Sequence, residues 1–174
     1  MIVEALIKEL AVRGFTIKDN QPELIYPLYV SNEEYAKISK NYPVTFEYVI
    51  EEIQDIPPFT DAAHKHYFSI FNAEEELVAV LDIVDGYSYQ DKHDKDSVWI
   101  GLFQIDKAFH RKKIGQYIIE AFINACKQNQ RKVIQLGVIK ENHAGLAFWK
   151  KQGFITFAEA SNGTCDVFVM QQII

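Results

Sequence analysis

The stretch His110-Arg111-Lys112-Lys113-Ile114-Gly115 has the residue types to hold an anion. Three permanent cations and a histidine stand in a row, with a glycine close behind. An apolar run, Val98 to Ile105, precedes them and is short enough to be a buried strand. Asp106-Lys107 makes the turn. After the basic string, Ile114, Ile118, Ile119, Phe122 and Ile123 fall on one helical stripe. A strand, a basic turn and a helix start together suit a phosphate. The first amides of a helix lack intrahelical partners, and the helix dipole is positive there. Gly115 reads as a place where backbone approaches a ligand with no Cβ in the way. Taken alone, the string also suits a solvated turn with surface lysines.

Other candidates are scattered. Asp82 interrupts an otherwise apolar strand, Leu77 to Val84. A carboxylate there reads as an amine anchor or a general base acting through water, or else faces solvent near the strand end. Tyr87 and Tyr89 follow in a loop that could line an acceptor site. Tyr117 points to a ligand at the helix start or packs. His143 reads as solvent-facing, and Trp99 as core rather than acceptor pocket. His64, His66 and His93 lack metal-ligand spacing.

The elements that must position these groups follow from periodicity. Met1 to Val12 is an amphipathic helix with Gly14 at its C′ position. Phe15 to Lys18 is a short strand, broken at Asp19 to Pro22. Ser31 and Glu34 form a capping box for a helix to about Lys40, and Thr45 caps another through Ile53. His66–Phe71 and Leu77–Val84 form a hairpin, and Asp85 to Asp96 is a polar loop. Lys132–Val138 is a buried strand, Ala144–Gln152 a short helix, and Phe154–Ala158 and Cys165–Met170 the last strands. A helix between Val98–Ile105 and Val133–Val138 makes those strands parallel. The fold class is a mixed α/β sheet in one domain.

Val138 to Phe154 reads VIKENHAGLAFWKKQGF. With the basic loop, this segment makes the chain resemble the GNAT-type N-acetyltransferases. The family's acetyl-CoA loop runs Gln/Arg-x-x-Gly-x-Gly/Ala after a strand. Here the first position is His110, the middle glycine is Lys113, and the last, Gly115, is kept. The family's later Asn, Phe/Leu-Tyr and Gly-Phe correspond to Asn142, Phe148-Trp149 and Gly153-Phe154.

The resemblance implies a largely antiparallel mixed sheet with a central splayed parallel pair, flanked by helices. Residues 1–60 would be a helical acceptor-side portion and 66–174 the cofactor-binding core. Acetyl-CoA would lie between Val98–Ile105 and Val133–Val138. Backbone groups of Phe103, Gln104 and Ile105 would pair with pantetheine, and His110 with the amides of Arg111, Lys112, Lys113, Ile114, Gly115 and Gln116 would hold the pyrophosphate. Asn142 and Trp149 would adjoin the cofactor arm. The implied reaction is acetyl transfer to a primary amine by direct attack in a ternary complex. The acceptor would be polyamine-like, aminoglycoside-like or a peptide amine.

The family often uses a Tyr to protonate the leaving thiolate. Trp149 stands there, and an indole N–H does not release a proton at neutral pH. The family's Glu base on the preceding strand is also missing from Ile134-Gln135-Leu136-Gly137. Asp82 and Tyr87 are therefore the catalytic candidates. Trp149 and Lys113 also keep open a non-catalytic acyl-CoA-binding sensor. A homodimer through the last strand, Val167 to Met170, is a further expectation.

Composition sets the outer bounds. With 174 residues, 48% of them hydrophobic, the chain can bury a core. No apolar run approaches the ~20 residues that span a bilayer, and the acids in MIVEALIKEL argue against a signal peptide. Two cysteines are too few for a disulfide scaffold, so a cytoplasmic setting is expected. Residues 1–97 carry 8 Lys and Arg against 19 Asp and Glu, and residues 98–174 carry 10 against 5. The basic half holds the candidate phosphate loop. The acidic half suits a cationic acceptor, or simply serves solubility. An acidic protein without a basic stripe is a poor partner for nucleic acid.

Overall fold

Seven strands form one sheet in the order β1-β2-β3-β4-β5-β7-β6. They are β1 (Thr16–Lys18), β2 (Lys65–Phe71), β3 (Leu77–Asp85), β4 (Ser97–Ile105), β5 (Val133–Ile139), β6 (Ile155–Ser161) and β7 (Asp166–Ile173). All neighbours are antiparallel except β4 and β5. The computed structural model describes residues 1–174.

Both faces of the sheet are covered, which is why β3 reads as a nearly continuous apolar run. Leu81 and Ile83 face one way, into the main core with helices α1 (Ile2–Ala11) and α5 (Ile114–Gln128). Ile118, Ile119 and Phe122 of α5 are wholly buried there, as the helical stripe predicts. Glu9 of α1 accepts from Asn124 and Gln128 of α5, at 3.2 and 2.7 Å, and fastens the two helices. The last helix, α6 (His143–Lys151), adds Trp149 to the same core.

Val80 faces the other way. It packs on Ile25, Leu28, Tyr29 and Val49 from α2 (Pro22–Ser31) and α4 (Phe46–Gln54), with α3 (Glu33–Ile38) between them. Thr45 caps α4, accepting from Tyr48 N at 3.1 Å as expected.

The expected strand break at Asp19–Pro22 holds, but helix α2, which the sequence reading leaves out, follows it, with Pro22 in its first turn, where a missing N–H costs nothing. The expected capping box at Ser31 does not form. Ser31 ends α2, where its hydroxyl donates to Leu28 O at 2.7 Å and accepts from Lys107 N at 3.0 Å. Asn32 takes the cap position, but its side chain reaches β4, donating to Gln104 Oε1 and Ile105 O at 3.1 and 2.9 Å. Tertiary contacts to the end of β4 win over local capping. Another correction concerns the last strand. β7 lies between β5 and β6, so it has no free edge, and the sheet ends there at β6.

Candidate active site

The basic loop joins β4 to α5 through one turn of 3-10 helix, Lys107–Phe109, which Asp106 caps by accepting from Ala108 N at 2.9 Å. Arg111 and Lys113 then adopt left-handed backbone, with φ of +60° and +62°. Side chains resist that region, since Cβ crowds the following carbonyl, by about 1–2 kcal/mol per residue. The effect is to turn the backbone outward. The amides of Arg111, Lys112, Lys113, Ile114, Gly115 and Gln116 make no hydrogen bond within the protein. No side chain caps α5 either. Arg111, Lys112 and Lys113 form no ion pair with a carboxylate. Six successive free donors with three free cations, at the positive end of a 15-residue helix, fit an anionic diphosphate.

Above the loop, β4 and β5 part. Their parallel pairing runs from Ser97↔Val133 to Ile100↔Leu136 and stops. The cause is a bulge. Asp82 of β3 pairs with Leu102 and Ile83 with Ile100, so Gly101 is an extra residue in β4. Only glycine fits easily: a Cβ would sit 3.0 Å from Asp82 Oδ2. Beyond the bulge, β4 stays with β3 and β5 with β7, leaving a gap. Asp106 N donates to Val78 O at 2.9 Å, so by strand alternation Phe103 and Ile105 turn their backbone groups to the gap. Gln104 turns its backbone toward β3 instead, which corrects the expectation that all three face the cofactor. The Gln104 side chain is held by Asn32. His110 folds back with Nε2 at 2.9 Å from Ile105 O, so that carbonyl has two partners already.

The gap opens on the α2–α4 face into a cavity of about 720 Å³. Five tyrosines, Phe59 and Trp99 line it, and Glu52 is its one carboxylate. Tyr87 stacks on Phe59 at 4.6 Å between centroids and meets Trp99 edge-on at 5.6 Å. The loop bearing Tyr87 and Tyr89 is tied down by Gln135, which accepts from Tyr89 N at 2.7 Å and donates to Gln90 Oε1 at 3.0 Å. Burial pushes Glu52 above the ordinary carboxylate range, nearby Asp82 adds to it, and the Tyr48 hydroxyl opposes both. Burial also raises the Tyr48 and Tyr29 phenols, and Tyr35 is pushed up to about 12. These phenols stay neutral donors at physiological pH.

Several expected site residues have other duties. Asp82 neither faces solvent nor lines the cavity. Its Oδ1 lies 2.6 Å from Lys65 Nζ, and both side chains are largely buried, so the carboxylate is held rather than free. Burial still pushes it up to about 6 against the pull of Lys65. Trp149 is core: it packs on Phe103, Phe148 and Phe154 with centroids 5.0–5.9 Å away. Gly115 is small because of Phe148, whose ring would lie 3.1 Å from a Cβ there. Its missing Cβ lets α6 pack closely on α5. Asn142 uses Oδ1 to cap α6, accepting from Gly145 N at 3.0 Å. The Gln116 side chain donates to Glu120 at 2.9 Å, leaving its amide free. Tyr87 and Tyr89 do line the cavity, and so does Trp99, which the sequence suggests as core. Glu52 was not a sequence candidate. Its one signal was position: one helical turn after Tyr48, on a short helix of the acidic half.

The site thus sets a splayed parallel pair beside a helix start of free amides and cations. A sequence profile of the Acetyltransferase (GNAT) family matches residues 25–154, and the chain belongs to that family. It is thus an acyltransferase by family, and acetyl-CoA is the family's cosubstrate. No curated protein matches it in sequence. Among solved structures, an acetyltransferase from Thermus thermophilus aligns with TM-score 0.68 at 20% identity, over 92% of this chain and 97% of that one. Ard1 from Thermoplasma volcanium aligns at 0.63 and 21%, over 92% and 98%. A PaiA N-acetyltransferase from Thermoplasma acidophilum, in complex with coenzyme A, aligns at 0.59 and 15%, over 92% and 99%. At these identities the likeness is one of fold.

Proposed function

We propose that the protein is an N-acetyltransferase in which Arg111 to Gln116 hold the pyrophosphate of acetyl-CoA and the cavity under α2–α4 receives a primary amine. The observation that carries this reading is the row of six unpartnered amides opening α5. Every helix opens with free amides, and here the left-handed turns at Arg111 and Lys113 extend that row beside three cations, which suits a multidentate anion. Phe103 and Ile105 offer the pantetheine arm strand-like donors and acceptors, with Phe103 N–H and C=O the freest. Asn142 keeps Nδ2 for the same arm, because only Oδ1 serves the cap. Of the first 60 residues, α2 to α4 border the acceptor cavity, through Tyr29, Tyr35, Tyr48 and Glu52, whereas α1 packs with α5 on the other face of the sheet.

Bound there, acetyl-CoA supplies an activated acyl group as a thioester. Glu52 takes a proton from the incoming ammonium, directly or through one water, leaving a neutral nucleophile. Its raised pKa suits that task, and neutral tyrosine hydroxyls around it can donate to developing charge. The nitrogen bonds to the acyl carbon as the C–S bond breaks. The second nitrogen proton leaves with the thiolate, or through water. An alkyl thiol of pKa ~8.5 is a good leaving group at neutral pH, so a protein acid in the place of Trp149 is dispensable. Tyr87 orients the amine rather than transferring a proton.

The test is acetyl-CoA binding and thiol release. Arg111→Glu combined with Lys112→Glu should weaken acetyl-CoA binding at least 100-fold by calorimetry, with circular dichroism unchanged. Unaltered affinity would rule out this pyrophosphate site. Gly115→Glu is a poorer test, because it strikes Phe148 and confounds binding with packing.

A further inference from the structure

The chemistry of the cavity walls limits which amines fit, and this inference rests on the reading of the cavity as the acceptor site. We infer that the acceptor is a compact monoamine with one flat aromatic body, an arylalkylamine in chemical class. Three observations argue for it. The cavity holds one carboxylate, Glu52, so it can match one ammonium and not several spaced cations. Its one basic residue, Lys40, is exposed and donates to Thr164 O at 3.1 Å, so an acceptor bearing a carboxylate or phosphonate would meet a cation only at that solvent-facing position. One part of the wall offers π surfaces in mixed orientations, Phe59 and Tyr87 stacked at 25° and Tyr87 against Trp99 at 89°, and polar residues such as Ser39, Asn41 and Asn162 line other parts.

Such walls hold a flat ring by stacked and edge contacts, and an ammonium by cation–π attraction. Against the ring face of Phe59, Tyr87 and Trp99, a polyhydroxylated aminosugar would instead leave hydroxyls without partners. A linear polyamine would leave its distal cations unpaired. Gln135, 2% exposed, fixes the loop that carries Tyr87, so the aromatic wall is preformed. A preformed wall favours a rigid body over a flexible one, since less ordering is needed on binding.

The experiment measures thiol release from acetyl-CoA with four amines: phenethylamine, spermidine, kanamycin and a tripeptide with a free N-terminus. The expected result is a kcat/KM for phenethylamine at least tenfold above each of the others. Trp99→Leu should raise the phenethylamine KM tenfold or more with kcat within about threefold, and Trp99→Phe should restore most of the affinity. If Trp99→Leu does not fold, Phe59→Leu carries the same comparison. Phenethylamine should also quench the tryptophan fluorescence of the free protein, and this quenching should be lost in Trp99→Phe, where Trp149 alone remains. Preference for spermidine, kanamycin or the tripeptide would overturn the aromatic assignment while leaving acetyl transfer standing. Acetyl-CoA binding without thiol release for any amine would instead defeat the acetyltransfer reading itself, and this inference with it.

Discussion

A carboxylate and a lysine carry the sharpest residue-level expectations. In the proposed mechanism Glu52 is the base when deprotonated, so kcat/KM should rise with pH through a value above the ordinary Glu range. Glu52→Gln keeps the shape and removes the base. It should lower kcat about 100-fold and erase that acid limb, leaving only the limb due to the amine's own ionisation. A pH profile of the variant that keeps the same limb would reject Glu52. Lys113 stands in left-handed backbone where the family pattern has glycine. Lys113→Gly relieves crowding at Cβ but frees the unfolded chain, two effects of similar size. The variant should be as stable as the parent or more so, by up to about 1 kcal/mol in urea unfolding, and should bind acetyl-CoA with at most a few-fold loss. A collapse of binding would mean that the Lys113 ammonium, rather than the amide row, dominates the site.

At the scale of elements, the bulge in β4 does the most. One extra residue ends the parallel ladder at Ile100 and opens the gap. Gly101 permits this because its missing Cβ leaves room for the Asp82 carboxylate. Gly101→Val should displace either Asp82 or the bulge. Overpacking of that kind typically costs about 1–3 kcal/mol, which denaturant unfolding would register, and acetyl-CoA affinity should fall with it. Wild-type stability and affinity in Gly101→Val would show that the gap does not depend on this contact. The junction of α2 and α3 has a matching role. Ser31 and Asn32 give up local capping to grip Lys107 N, Gln104 and Ile105, so the acceptor-side helices and the end of the gap are held as one unit.

For the whole molecule, the buried Asp82–Lys65 pair links stability to pH. The folded-state value of Asp82, about 6, lies above its unfolded value near 3.9. The native state therefore holds the extra proton between those values. This contribution to stability is present in full below about pH 4 and is lost as pH rises through 6. Its size is up to roughly 3 kcal/mol, since each pKa unit is worth ~1.4. Asp61, Asp94 and Glu9, all held below the usual carboxylate range by their partners, act in the opposite sense. The test is therefore a comparison. Asp82→Asn with Lys65→Met removes both buried charges, and its unfolding free energy should fall less, or rise more, between pH 4 and 6.5 than that of the parent. Parallel curves for the two proteins would exclude Asp82 as the titrating group.

The sequence by itself determined the order of elements from β2 onward, the parallel pair, the basic turn between strand and helix, and the family. These are legible because they are local: a strand's apolar run, a 3.6-residue stripe and a basic string between them each reside in contiguous residues. Tertiary structure alone decided who lines the cavity and who does not. Asp82 and Trp149 look chemical in the sequence, yet one is paired with Lys65 and the other packed among rings. Glu52 and Trp99 look ordinary, yet both face the cavity. Which way a side chain points on a twisted, bulged sheet, and what lies opposite, depends on residues distant in the chain, such as Gly101 beside Asp82 and Phe148 beside Gly115. Burial by those distant partners sets both the acidity of a carboxylate and its access to a substrate.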